Sequence, residues 1–233
     1  MPGITRYPST RTWIDSADPV YGTGMDGNAI LDGSATVLGM APSGSVYSMT
    51  KDMFFNNLTV NTSVRLAPNG YRIFVKNLLT FGGANATIGF SAGHSTAGSI
   101  QQGGAASTAV THSLGGSATG FTATAPTAAL GGSDYYKIPE QAIRGYSITA
   151  SGGPTFLRGG AGGSGQAGGG VIILSARYIA GPSSGTAYIK APGTAPAGGG
   201  VILVVSSGAA LPSGVSTDVT GQNAGTYNYM QLV

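Results

Sequence analysis

A search for chemistry in this chain starts with its eight carboxylates: Asp15, Asp18, Asp26, Asp32, Asp52, Asp134, Glu140 and Asp218. Glycoside hydrolysis needs two carboxyl groups about 5–9.5 Å apart. Only Asp134 and Glu140 stand close together in a Tyr-rich setting. An acid–base pair also needs surroundings that push its two pKa values apart. The Gly, Ser and Tyr neighbours here offer both carboxyls much the same surroundings, so the pair reads as solvated loop or interface charge. His94 and His112 lie among many serines, but a Ser-His-Asp set needs an acid to orient the ring, and none is near either histidine in sequence. Gly160 to Gly165 satisfies G-x-G-x-x-G, as does the overlapping Gly163 to Gly168. A dinucleotide site requires that pattern to open a helix, whereas a β-type run follows here. Cysteine is absent and the histidines and acids show no metal spacing, so neither a thiolate site, a disulfide framework nor a metal centre is expected. The sequence predicts no enzyme and no cofactor.

The elements that would position any site are glycine runs leading into short β-rich runs. Gly168-Gly169-Gly170 precedes Val171-Ile172-Ile173-Leu174, and Gly198-Gly199-Gly200 precedes Val201-Ile202-Leu203-Val204-Val205. Gly70 precedes Tyr71-Arg72-Ile73-Phe74-Val75 in a looser version. Glycine permits positive φ and close backbone approach, while Val and Ile suit a pleated, packed surface. Leu58, Val60, Val64 and Leu66 alternate with polar residues, and Tyr71, Ile73 and Val75 alternate with Arg72, Phe74 and Lys76. Period two sets the first group on one face and the basic residues, with Phe74, on the other. Ala35 to Leu38, Ser45 to Met49 and the stretch around Tyr146 to Ile148 read as further strands, and Tyr227 to Val233 as a last one. Gly70–Gly82 and Gly170–Gly181 share one plan, with Leu78-Leu79 matching Tyr178-Ile179. The expected fold is therefore all-β: short stacked strands with Gly-rich turns, sandwich or solenoid-like. Asn69-Gly70 is open to reading as a hairpin turn or a solenoid corner.

Composition sets the frame. The 233 residues include 41 Gly and 12 Pro, only 8% are charged, and the formal net charge is +3. Low charge with Val/Ile/Leu clusters argues for a folded chain rather than a disordered one. No basic stripe interleaves with aromatics, which disfavours a nucleic-acid groove. No apolar run nears the ~20 residues that span a bilayer, and no secretory h-region opens the chain. We expect folding in a cytoplasm and no membrane insertion, which makes the N-x-S/T matches at Asn57, Asn61 and Asn85 fortuitous. Residues 1–28 read as an attachment arm, with Trp13 as a docking residue. Residues 29–233 read as one all-β domain, interrupted at about 82–133 by an uncharged Gly/Ala/Ser/Thr-rich insertion. Tyr135, Tyr136, Tyr227 and Tyr229 are candidate surface or inter-subunit contacts, since exposed aromatics stack on sugar rings.

Asn56 to Thr80, NNLTVNTSVRLAPNGYRIFVKNLLT, resembles a segment of tailed-bacteriophage virion proteins of the Gly-rich minor tail protein type. The later GGGVIILSA and GGGVILVV runs and the upstream Asp26 to Gly33 follow that family's order of motifs. The resemblance covers roughly residues 26–83 and 159–206. It implies a non-enzymatic structural component of a phage particle, located in the virion, at the tail tip or a fibre. The implied partners are other virion proteins, copies of itself (a trimer preferred among cyclic assemblies) and a glycan on the host surface. A capsid decoration protein is one alternative, and a polysaccharide depolymerase on a β-helix is another. The resemblance carries over no catalytic or binding residue.

Overall fold

The computed structural model describes residues 20–94, 98, 159–160, 162 and 165–232, together with four short strands between 110 and 156. All regular structure among these residues is β. The first six strands are β1 (Gly27–Leu31), β2 (Val46–Ser48), β3 (Met53–Val60), β4 (Arg65–Ala67), β5 (Ile73–Phe81) and β6 (Thr87–Gly89). Two antiparallel pairs come next: β7 (Val110–Thr111) with β8 (Ser117–Ala118), and β9 (Tyr146–Thr149) with β10 (Gly152–Phe156). The chain closes with β11 (Val171–Ala180), β12 (Ala187–Lys190), β13 (Val201–Ser206), β14 (Val215–Asp218) and β15 (Thr226–Gln231).

The two main sheets are parallel throughout. One runs β1-β3-β5-β11-β13-β15 and the other β14-β12-β6-β4-β2. From β1 to β6, and again from β11 to β15, successive strands alternate between the sheets. Within each sheet the spatial order is the chain order. The Asn69-Gly70 turn therefore joins β4 of one sheet to β5 of the other, so it is a corner and not a hairpin. Both residues take positive φ there, 51° and 81°, conformations that Asn and Gly tolerate best.

Parallel pairing stacks like on like. Val171 faces Val201 across the sheet, and Ile172 faces Ile202. Leu78 pairs with Tyr178 and Leu79 with Ile179, so the two stretches that share a plan in sequence are direct neighbours in space. The inward row Met53–Ile73–Leu174–Val204 and the inward residues Tyr47, Leu66, Ile88 and Ile189 of the second sheet form the core between the sheets. Alternation correctly assigned Leu58, Val60, Val64, Leu66, Ile73 and Val75 to this core.

Four sequence expectations meet a different arrangement. Phe74 lies on the outward face, as its alternation with Tyr71, Ile73 and Val75 gives, but that face is not polar there: Phe74 is buried in a second apolar cluster on the outside of the first sheet, with Val171, Ile173, Val201, Leu203 and Val205. Strand β13 and the first part of β11, Val171 to Ala176, are thus buried on both faces, which is why Val171 to Leu174 and Val201 to Val205 read as unbroken apolar runs. Val20 and Tyr21 belong to that cluster, and the Ser175 hydroxyl donates to the Val20 carbonyl. Residues 20–28, expected as arm, therefore pack on the body and enter β1. Residues 35–38 form no strand; they turn back through a Val37–Met40 bridge, and Met40 is buried in the core. Finally, β6 lies within the stretch 82–133 expected as an insertion, and it is an interior strand of the second sheet. Trp13 lies outside the described residues.

Candidate functional site

The described carboxylates each close a local structure. Asp32, just past β1, accepts the amides of Ser34 at 2.8 Å and Ala35 at 2.9 Å and the Tyr47 hydroxyl at 3.1 Å. Those amide bonds, Ala35's first, hold its carboxyl down at about 2. Tyr47 is fully buried and also donates to the Ala35 carbonyl at 2.8 Å, and burial pushes its hydroxyl pKa up. Asp26 pairs with Lys51 at 3.0 Å and accepts the Phe54 amide at 2.6 Å. Asp52 holds Arg72 by its backbone amide and its guanidinium, each at 2.8 Å. Asp218 accepts the Thr220 amide at 3.1 Å and hydroxyl at 2.8 Å. These are turn-building and strand-tying roles. The described residues hold no cluster of three His, Asp or Glu side chains that could bind a metal. Asp134, Glu140, His112, Tyr135 and Tyr136 lie outside the described residues.

Tyr227 and Tyr229 sit on β15, where the register sets them beside Ile202 and Val204 on the inward face. Both are half-buried against the core, and the Tyr229 hydroxyl donates to the Gly208 carbonyl at 2.8 Å. Burial, and then the charge on Tyr229, push the Tyr227 hydroxyl up to about 12. Their rings close the end of the core at the last strand.

The glycine runs form one corner where neighbouring backbones nearly touch. Gly169 donates to the Gly198 carbonyl at 2.8 Å, Gly199 to Asn223 at 2.8 Å, and Val201 to Gly170 at 2.9 Å. Gly168 accepts the His94 amide, and Gly200 donates to Ala191. A Cβ on Gly169 would lie 2.7 Å from the Gly200 Cα, and one on Gly199 would lie 2.6 Å from the Gly225 nitrogen. Neither glycine takes positive φ. Close approach, not backbone handedness, is what requires glycine at these two positions. Of the G-x-G-x-x-G matches, the described stretch from Gly165 leads into β11, with no helix following.

Two grooves open on the outer face of the second sheet. One, of about 420 Å³, is lined by Tyr188, Asp218 and Thr220, with the Lys190 ammonium 4.0 Å over the Tyr188 ring. The other, of about 230 Å³, crosses β2, β4 and β6 and is walled by residues 90–94. The outward rows there are Val46–Arg65–Thr87 and Ser48–Ala67, with Gly89 next to Lys190. The small residues of the second row leave a trough beside Arg65. The wall is tied at both ends, by Phe90 N–H to Lys190 at 2.8 Å and His94 N–H to Gly168 at 2.8 Å, and the His94 ring stacks on Phe90 at 4.2 Å.

No protein-family model, curated protein or solved structure matches this chain. No helix among the described residues is long and apolar enough to cross a membrane.

Sequence reasoning passed over Arg65, which it treated only as an outward polar residue of an alternating strand. The signal that finds it is the stacking of small residues, Ser48 and Ala67, at one register position on neighbouring strands. That alignment needs the pairing.

Proposed function

We propose that this chain is a non-enzymatic structural protein of a bacteriophage particle. In this reading it is a minor tail, tail-tip or fibre-associated component that assembles with copies of itself and presents a face to the host surface. We infer that its two parallel sheets are faces of one solenoid, each coil contributing a strand to both. In such an architecture each coil contacts only its neighbours, which suits a stiff extended part.

The observation that supports the non-enzymatic reading is that, among the described residues, every carboxylate (Asp26, Asp32, Asp52 and Asp218) is committed to a turn or strand tie at a separate place in the chain. A depolymerase needs two carboxyls facing one bond. Self-association is supported by apolar side chains left open on the outer face of the first sheet: Ile30, 61% exposed, and the paired Leu78 and Tyr178, at 40% and 52%. The adjacent Leu78 and Tyr178 make an exposed apolar pair across two neighbouring strands, and exposed apolar surface of this kind marks association sites. The virion assignment draws on the order of motifs shared with minor tail proteins. Mass spectrometry of purified particles tests it: the protein should be present at a fixed copy number per particle. Its presence only in the soluble lysate fraction would refute the assignment.

A further inference from the structure

We propose that the groove over β2, β4 and β6 binds an oxyanion, a carboxylate or phosphate carried by a hydroxyl-rich ligand such as an acidic sugar, with Arg65 as the anchor. The Arg65 Nε is buried and has no hydrogen-bond partner among the described residues. The ion pairs among the described residues, Lys51–Asp26 and Arg72–Asp52, leave Arg65 out. Among the described residues, no carboxylate lines the groove. A guanidinium presents five donors in a fixed fork, and its best partners are the paired oxygens of a carboxylate or phosphate. A buried donor of this kind without a partner is costly to the fold, so a site that keeps one is poised for an external acceptor.

The rest of the groove supplies what a hydroxylated ligand needs. Ser48 and Ser91 are exposed and line it. The Asn69 amide is oriented by donating to the Met49 carbonyl at 3.3 Å, which leaves its oxygen as an acceptor. The His94 ring, backed by Phe90, forms a flat wall. The volume, about 230 Å³, falls below the roughly 300–1,000 Å³ of drug-sized sites, which suits one sugar residue or a phosphate group. This inference does not depend on where the protein works, and its failure would leave the particle assignment standing.

The test follows the Arg65 Nε–Hε resonance by proton–nitrogen NMR during separate titrations with galacturonate, inorganic phosphate and neutral galactose. A saturable shift with at least one anion and none with galactose is expected. The same titrations, read from the Ser48 and Phe90 amides, should show binding abolished in Arg65→Met. In Arg65→Lys, which keeps the charge but not the fork, it should weaken about tenfold at an unchanged melting temperature. If Arg65→Met does not fold, the Lys variant carries the comparison. Tighter binding of galacturonate assigns the site to a uronate, and tighter binding of phosphate assigns it to a phosphate group. Lack of a saturable shift with either anion, an equal response to galactose, or an equal shift at the Nε of Arg177, an arginine on β11 of the other sheet, would overturn the proposal.

Discussion

Replacing Gly199 with alanine isolates the feature on which the corner depends. The added Cβ would fall 2.6 Å from the Gly225 nitrogen and nearer still to the Val219 carbonyl oxygen, against ordinary contact at 3.4–4 Å. Both atoms are backbone, so no side chain can swing aside, and the β13 and β15 segments must separate. Overpacking of this kind costs about 1–3 kcal/mol. Separation also strains the bonds from Gly199 to Asn223 and from Thr226 to Gly200, each worth about 1 kcal/mol. The expected total is about 3–5 kcal/mol, which for a domain of this size lowers the melting temperature by roughly 6–20 °C. Gly39→Ala is the control. Gly39 takes φ of 82° but a Cβ there would meet nothing within 4 Å, so only the left-handed conformation is penalised, at about 1 kcal/mol. Urea denaturation and thermal melts of both variants measure the contrast. If Gly199→Ala melts within two degrees of the parent, or Gly39→Ala is the worse of the two, the close-approach argument is wrong.

Three further outcomes follow from named contacts. Asp32's folded carboxyl sits at about 2, below its ordinary 3.8, so its contribution to stability is present above about pH 4 and is lost as pH falls through 2. Carbon NMR of the carboxyl should place its midpoint there, and Asp32→Ala should flatten stability across that window; an ordinary midpoint would show that the Ser34 and Ala35 bonds do not form. At the alkaline end, Tyr227's hydroxyl sits at about 12, above the usual 10.0, so the unfolded chain gives up that proton first. Stability should therefore fall from about pH 10 to about 12, a slope that Tyr227→Phe removes, and an unchanged slope in that variant would contradict the inward placement. Lastly, charging the exposed apolar pair with Leu78→Asp and Tyr178→Asp should shift light-scattering mass toward the 23.0 kDa monomer, while an unchanged oligomer would place the interface elsewhere.

Local pattern in the sequence carried the strands from Leu58 to Val75 and their inward residues, because period-two alternation is a property of one strand alone. It also aligned Leu78-Leu79 with Tyr178-Ile179, and the two stretches turned out to pair across the sheet. What it missed depends on partners far along the chain. Thr87 pairs with Tyr188 and Ile73 with Leu174, separations at which no local signal tells a corner from a hairpin. Phe74 reads as outward from alternation, and it is outward; it is buried because Val20 and Tyr21 join the cluster around it. The glycine runs were recognised as special, but sequence could not separate positive φ from close approach. At Gly169 and Gly199 the neighbouring backbone decides for close approach. The Arg65 groove was invisible for the same reason: it is made by register, from residues on three strands.

The structural-component account is tested most directly by gold-labelled electron microscopy of intact particles, using antibody raised against this protein. The account predicts gold at a fixed position on nearly every particle, at the tail tip or along a fibre. Particles without label, from a preparation in which the free protein is labelled efficiently, would contradict it.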